Sequence, residues 1–322
     1  CVLLGDAVSD KYAVDWSGEY AHQPAIVVRP KRLEDVSALL GYCNDNGLSV
    51  VTQGGLTGLS GGATPQQDEI VLSLEWLSGI TELDQQSMTL SALAGTPLSI
   101  LQEAAQAAGF YLPLDLGARG SCTIGGNVAT NAGGNQVLYY GMTRALVLGL
   151  TAVMADGTIV RSMNKMLKNN AGYDIKQLFI GSEGTLGVVT EVVLRLYPQA
   201  ISKKSALCAF SHFDDVVKFL QAMQRRLPKV TAFELMWSNY TEQVYAMNPN
   251  YHDPFAKKYP LYVLIEAEGG DLDRDSQLFD EALTDYLETG GLLDAVIAQS
   301  HSEAEKFWQI RDGVMNILAN IK

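Results

Sequence analysis

A chain of 322 residues has room for two domains, and 47 % hydrophobic with 18 % charged residues describes an ordinary folded protein. The net charge of -13 excludes the basic stripe that a nucleic acid or an anionic membrane surface requires, so an anionic substrate has to be met by a local cation. Cys1, Cys43, Cys122 and Cys208 are scattered without a CxxC pair, and no apolar run approaches the roughly 18 residues of a membrane span; together these predict a reducing, cytoplasmic setting.

In chain order, Pro24 to Pro30 reads as a strand and Lys31 to Asn46 as a helix, with Leu33, Val36, Leu39, Leu40 and Cys43 at helical spacing and Gly47 as its stop. The strand Leu48 to Thr52 runs straight into GGLTGLSGGA, Gly54 to Ala63. Strands Ile70 to Leu74 and Met88 to Leu93 follow, then a helix that starts at Thr96-Pro97 and stops at Gly109. After Pro113 comes GARGSCTIGGNVATNAGG, Gly117 to Gly134, with a short helix expected over Ile124 to Asn131. Ala155-Asp156-Gly157-Thr158 is a hairpin turn between Leu148 to Met154 and Ile159 to Arg161, and Leu186 to Tyr197 is a further strand. Beyond Pro198 the order is strand (Ser205 to Phe210), helix (Asp214 to Arg226), strand (Val230 to Met236), strand (Leu261 to Ala267), helix (Asp271 to Glu288) and strand (Leu293 to Gln299), a ferredoxin-like sequence with Tyr240 to Pro260 inserted. A last helix is read from Ser302, with Glu305 completing a capping box.

The two glycine segments hold 11 of the 30 glycines, interleaved with Ser, Thr and Asn rather than Pro, which is not linker composition. Glycine admits positive φ and close approach, and successive amides in such turns form concave nests for anions, so a diphosphate is the expected guest. A P-loop is excluded because Ala63-Thr64-Pro65 follows Gly61-Gly62 where Lys and Ser/Thr are needed. A Rossmann fingerprint is disfavoured because no helix of useful length follows the first segment.

With the two loops, GSEGTLGVV at Gly181 to Val189 and the ferredoxin-like region in this order, the chain resembles the vanillyl-alcohol oxidase and p-cresol methylhydroxylase family of FAD-binding enzymes. The strings TIGGNVATNAGG, AGYDIKQLFIGSEGTLG and PLYVLIEAEG are most similar to the flavin-dependent 2-hydroxyacid dehydrogenases, the D-2-hydroxyglutarate enzymes first and the D-lactate and glycolate enzymes next. The resemblance implies an α+β fold: an FAD-binding domain of the p-cresol methylhydroxylase type over 1–199, with subdomains of about 1–75 and 76–199, then an incomplete ferredoxin-like substrate or cap domain over 200–322. It implies that Gly54, Gly55, Thr57, Gly58 and Ser60 wrap the FAD diphosphate through main-chain amides, Leu56 and Leu59 lying in the same loop. Gly117, Ser121, Ile124, Gly125, Gly126, Asn127 and Thr130, with Pro113, would line the flavin side, and Glu183, Gly187 and Val188 the adenosine half.

Some relatives attach flavin through histidine, but His22, His212, His252 and His301 lie outside both loops, and Cys122 reads as a small buried residue, so the FAD is expected to be non-covalent. Arg311, in FWQIRD, matches the family's carboxylate-binding arginine; without the resemblance it reads as a solvent-facing helix residue. Met315 stands where the 2-hydroxyglutarate enzymes place a threonine, which loosens the exact acid. The family's base and metal ligands, in a GHLGDGN-type segment, find no match here, and His212 and His301 read as surface or capping residues; a catalytic base and a divalent metal such as zinc are expected only beyond Lys322, in a longer polypeptide. The chain opens on Cys1 and ends on Ile321-Lys322, which fits that expectation. Expected partners are a small anionic 2-hydroxy acid, an electron acceptor that the sequence does not identify, and a second copy in a homodimer. The competing expectations are a non-catalytic FAD-binding subunit and a binder of some other diphosphate.

Overall fold

The computed structural model describes residues 1–248, 251–314 and 317. Two compact units divide the chain: Cys1–Gly134 with Gly141–Gln199, and Asn135–Tyr140 with Ala200–Lys322.

The first unit begins with β1 (Val2–Leu4), β2 (Ile26–Val28), α1 (Leu33–Asp45), β3 (Val50–Gln53) and β4 (Ile70–Ser73). Their sheet runs β1-β2-β4-β3, antiparallel at β1–β2 and parallel elsewhere, and β4 is buried at every residue because it lies inside the sheet. Helix α1 turns Val36, Leu40 and Cys43 inward, Val36 and Leu40 joining a cluster with Leu72 and Leu74. Next come β5 (Ile80–Asp84), β6 (Thr89–Leu93), α2 (Leu98–Ala107), β7 (Phe110–Tyr111) and α3 (Ile124–Ala129). The chain then leaves for the second unit with α4 (Val137–Tyr140) and returns with α5 (Thr143–Leu146), β8 (Val147–Val153), β9 (Ile159–Ser162), α6 (Lys176–Phe179), β10 (Val188–Arg195) and β11 (Tyr197–Pro198). An antiparallel sheet, β5-β6-β10-β8-β9, carries the main core, where Leu90, Leu98, Leu101, Ile124, Leu150 and Val192 meet.

The second unit continues through β12 (Ser202–Phe210), α7 (Phe213–Arg226), β13 (Val230–Trp237), α8 (Ser238–Met247), β14 (Leu261–Gly269), α9 (Leu272–Glu288), β15 (Asp294–Ile297) and α10 (His301–Asp312). The antiparallel order β13-β14-β12-β15 is the ferredoxin-like arrangement, with α8 starting two residues ahead of the expected insertion and running into it. Period-two alternation splits β14: Val263 and Ile265 pack with Phe219 of α7 and Phe279 of α9, whereas Tyr262 and Leu264 pack with Phe307 and Ile310 of α10.

Three element readings are corrected. Strand β5, ITELD, escapes the sequence because it is an edge strand with exposed acidic positions. The run Leu186 to Tyr197 is two strands, since Tyr197–Pro198 turns away to pair with Phe110–Tyr111. The cap of α10 is Ser300 rather than Ser302: Ser300 Oγ accepts from Glu303 N at 3.2 Å, and Glu303 Oε2 accepts in return from Gln299 N at 2.8 Å. The register is two residues earlier because Ala298, preceding the cap, is buried in the sheet, and Glu305 instead meets His301 at 3.2 Å on the exposed side.

Candidate functional site

The first glycine loop leaves β3 and is held at both ends. Gln53, fully buried, donates through Nε2 to Tyr12 O at 2.9 Å and to Ala63 O at 2.8 Å, which draws the loop's exit back to its entrance. On its other flank Trp16 N donates to Leu56 O at 2.9 Å and Ser17 N to Gly58 O at 3.1 Å. Leu56 has φ of 56°, the left-handed region, which explains why glycine or asparagine suits this place. Among the described residues, no amide from Gly54 to Ala63 donates a hydrogen bond to the protein. A run of unspent donors in a tight bend is the composition of an anion nest.

The second loop packs directly on the first. A Cβ on Gly55 would lie 2.0 Å from Ser121 O and 2.9 Å from Cys122 Cα, and one on Gly54 would lie 2.4 Å from Thr123 Oγ1. Its amides, however, are mostly used: Ser121 and Cys122 donate to Ala118 O, Ile124 to Thr96 O and Gly125 to Ala94 O, each between 2.8 and 3.0 Å. The first turn of α3 is tied to the end of β6, as the 2.5 Å from a Cβ on Gly125 to Ala94 Cβ also requires, whereas the amides of the first loop remain unspent. Ile124 is fully buried in the core, Asn127 is buried, and Thr130 Oγ1 donates to Gly126 O at 2.9 Å. Pro113 is buried, whereas Gly117 and Ser121 are exposed.

The GSEG segment closes the same region. Gly181 N donates to Val128 O at 3.0 Å and Glu183 N to Ala129 O at 2.8 Å, capping α3, while a Cβ on Gly62 would lie 3.2 Å from Glu183 Oε2. Arg144 holds the approach, with Nη1 donating to Gln177 O at 2.8 Å and Nη2 to Ile180 O. Gly187 sits under Phe179, and Val188 is core, packed with Val36 and Leu72, so contact with a nucleotide is left to its main chain.

The buried polar atoms carry the fit test for a dinucleotide. Among the described residues six have no hydrogen-bond partner, and four of these, Asp15 Oδ2, Gln53 Oε1, Thr123 Oγ1 and Asn127 Oδ1, belong to residues in or beside the two glycine loops. Asp15 Oδ2 faces Gly58 at 3.3 Å from a would-be Cβ. Orphaned polar atoms are costly, and their gathering here, beside unspent amides, fits a polar ligand with hydroxyl and phosphate groups. Asp15, Gln53 and Arg144 were not foreseen from the sequence, where nothing distinguishes them from other polar residues.

Cys122 is 3 % exposed and burial pushes its thiol up, so it is not poised as a nucleophile. In the second unit Arg311 is half-buried, not solvent-facing: Nε donates to Glu234 Oε2 at 2.8 Å and Nη1 to Asp312 Oδ1 at 3.1 Å. Met315 lies outside the described residues. His212 occupies the N-cap of α7 without capping through its side chain. Among the described residues no group of three His, Cys, Asp or Glu is placed to hold a metal, and no helix is long and apolar enough to cross a membrane.

An α+β chain with two interlocked glycine loops, free amides and a ferredoxin-like second unit defines a dinucleotide-binding flavoprotein class. The model of the FAD binding domain matches residues 24–162, and that of the C-terminal domain of FAD linked oxidases matches residues 200–322. This chain carries the FAD binding domain and the C-terminal domain of the FAD linked oxidases, and FAD fits the residues present. It is 39 % identical over 305 residues to the mitochondrial D-2-hydroxyglutarate dehydrogenase of Arabidopsis thaliana, covering 94 % of this chain and 55 % of that one. To the D-2-hydroxyglutarate dehydrogenase of Xanthomonas citri pv. viticola it is 38 % identical over 310 residues, covering 96 % and 65 %. It thus spans between 55 and 65 % of these relatives' length. The crystal structure of p-cresol methylhydroxylase with substrate bound shares the fold at a TM-score of 0.74 and 17 % identity, over 96 % of this chain and 68 % of that one. The plant relative's name places it in the mitochondrion, which does not support the cytoplasmic expectation.

Proposed function

We propose that this chain forms the FAD-binding half and the substrate arginine of an FAD-dependent D-2-hydroxyacid dehydrogenase, with D-2-hydroxyglutarate as first substrate and D-lactate or glycolate next. The observation that carries the reading is the run of unspent amides from Gly54 to Ala63 packed on Ser121, Cys122 and Thr123. These amides hold the diphosphate, with Gly54, Gly55, Thr57, Gly58 and Ser60 nearest it; Thr123 and Asn127 supply acceptors on the opposite wall, and Glu183 flanks the adenosine half. FAD, once bound, supplies the hydride acceptor for the substrate α-carbon. It is held without a covalent bond, since no histidine lies in either loop and Cys122 is buried. Arg311 binds the substrate carboxylate with Nη2, the guanidinium nitrogen that Glu234 and Asp312 leave over, and Glu234 fixes the plane of the group. Electrons pass on to a separate acceptor. Four free cysteines suit a reducing compartment, of which the mitochondrial matrix and the cytoplasm are both examples.

The test starts with colour. The purified protein is expected to be yellow and to release FAD on denaturation; a colourless protein that FAD does not reconstitute would overturn the reading. Arg311→Ala is expected to keep FAD while weakening D-2-hydroxyglutarate binding by roughly a hundredfold, the equivalent of about 3 kcal/mol for charge-assisted hydrogen bonds. Normal FAD with no affinity for any 2-hydroxy acid in the unsubstituted protein would favour the non-catalytic module.

A further inference from the structure

Strand β14 lies inside its sheet, between β13 and β12, yet carries two buried carboxylates, Glu266 and Glu268, on the face that packs against α10. Glu266 is 0 % exposed. An ionised carboxylate in such a place is tolerated only when donors surround it. Five groups do so: Oε1 meets Lys203 Nζ at 2.9 Å, Gln136 Nε2 at 3.4 Å and Thr231 Oγ1 at 3.4 Å, and Oε2 meets Trp308 Nε1 at 3.1 Å and Ser205 Oγ at 3.3 Å.

Four of these donors come from the sheet and from the six-residue excursion that holds α4; Trp308 alone comes from α10. Arg311 follows Trp308 by three residues and so lies on the same side of the helix. Besides the bond from Arg311 itself to Glu234 of β13, at 2.8 Å, the contacts of α10 with the sheet through Phe307 and Ile310 are apolar and non-directional, and would tolerate rotation or sliding of the helix. The indole N–H on a carboxylate is directional. Tyr240 adds a second fixed point, its hydroxyl donating to Ile310 O at 2.8 Å and to Arg311 O at 2.6 Å.

We infer that Glu266 is a positioning residue that, through Trp308, sets the rotation of α10 and thereby aims the Arg311 guanidinium. The functional weight of this inference rests on Arg311 being the carboxylate-binding group; the structural link stands apart from it. Lys203 pairs with Glu266, Ser205 and Thr231 fix its plane, and Trp308 reads that plane out to the helix. An apolar residue in place of Glu266 would hold α10 against the sheet and leave its rotation to Tyr240 and to the bond that Arg311 itself makes with Glu234.

The test uses FAD-loaded protein and two readouts. The Arg311 Nε–H resonance, assigned by its loss in Arg311→Lys, reports the guanidinium directly, and binding of D-2-hydroxyglutarate reports the consequence. Glu266→Gln and Trp308→Phe, the second keeping an aromatic ring while deleting the donor, are each expected to retain FAD, to shift the resonance, and to weaken binding roughly tenfold, less than the hundredfold that a full ångström of misplacement can cost. The double variant is expected to be no worse than either single variant, because one link is cut twice. If the resonance stays where it is in both variants, or if their effects on binding add, the inference is overturned. If Glu266→Gln does not fold, Trp308→Phe decides alone. Unchanged affinity in Arg311→Ala would instead remove the carboxylate-binding role of that arginine, and the resonance would still decide the positioning link.

Discussion

At Gly55 a single methyl group decides whether the two glycine loops can touch. Its Cβ would sit 2.0 Å from a backbone oxygen of Ser121, where no rotamer change gives relief. Gly55→Ala is therefore expected to cost about 3 kcal/mol of stability and to abolish FAD retention. Gly117, in the second loop, has nothing within 4 Å of its would-be Cβ and no left-handed backbone, so Gly117→Ala is expected to leave stability within about 1 kcal/mol of the starting value and FAD bound. Urea unfolding and flavin absorbance after gel filtration check both; equal losses at the two positions would show that the loops do not interlock as described. The density of glycine was legible in the sequence, but the division of labour was not. Free amides in the first loop and committed ones in the second depend on where Ala94, Thr96 and Ala118 offer carbonyls. The orphaned oxygen of Asp15 was likewise invisible, because only the folded chain brings it to Gly58, 43 positions away.

Elements with a strong period were readable, and their ends were set by chemistry that a residue or two decides. Helix α10 shows this: SHSEAE offers two serines three residues before a glutamate, and Ser300 is the cap because Ala298 is buried in the sheet just before it. Ser300→Ala is expected to lower stability by about 1 kcal/mol and Ser302→Ala to leave it nearly unchanged, measured by denaturant midpoint. The reverse order would return the cap to the later serine. Strand β5 and helix α4 were unreadable for different reasons. The first alternates against acidic residues at an open edge, and the second is four residues long, too short for a helical period to declare itself.

For the whole molecule, charge sets how an anionic substrate arrives. The net charge of -13 repels a dicarboxylate over a Debye length, while a single cation such as Arg311, proposed above as its ligand, acts only at short range. Raising ionic strength from about 0.02 to 0.2 M is therefore expected to speed the association of D-2-hydroxyglutarate by about threefold, and that of D-lactate, with one charge, by less. Stopped-flow observation of the flavin separates the two; a fall in rate with salt would show that a local positive field outweighs the global one. The overall architecture was the most legible property, since the order of glycine loops, hairpin and β-α-β-β-α-β run carries it. Nothing in NQVLYY, however, announces that Asn135–Tyr140 lies with the second unit while both its neighbours in sequence lie with the first.

That short detour bears on how the protein can be cut. The polypeptide passes between its halves at three places, not one, so scission after Gln199 severs a single thread of three. A fragment starting at Ala200 would also have lost Gln136 and Tyr140, which donate to Glu266 and Glu268 at 3.4 and 2.9 Å. Anyone producing the carboxyl-terminal half by itself would be making a sheet with two buried carboxyl groups stripped of part of their hydrogen bonding, and would do better to graft the hexapeptide back.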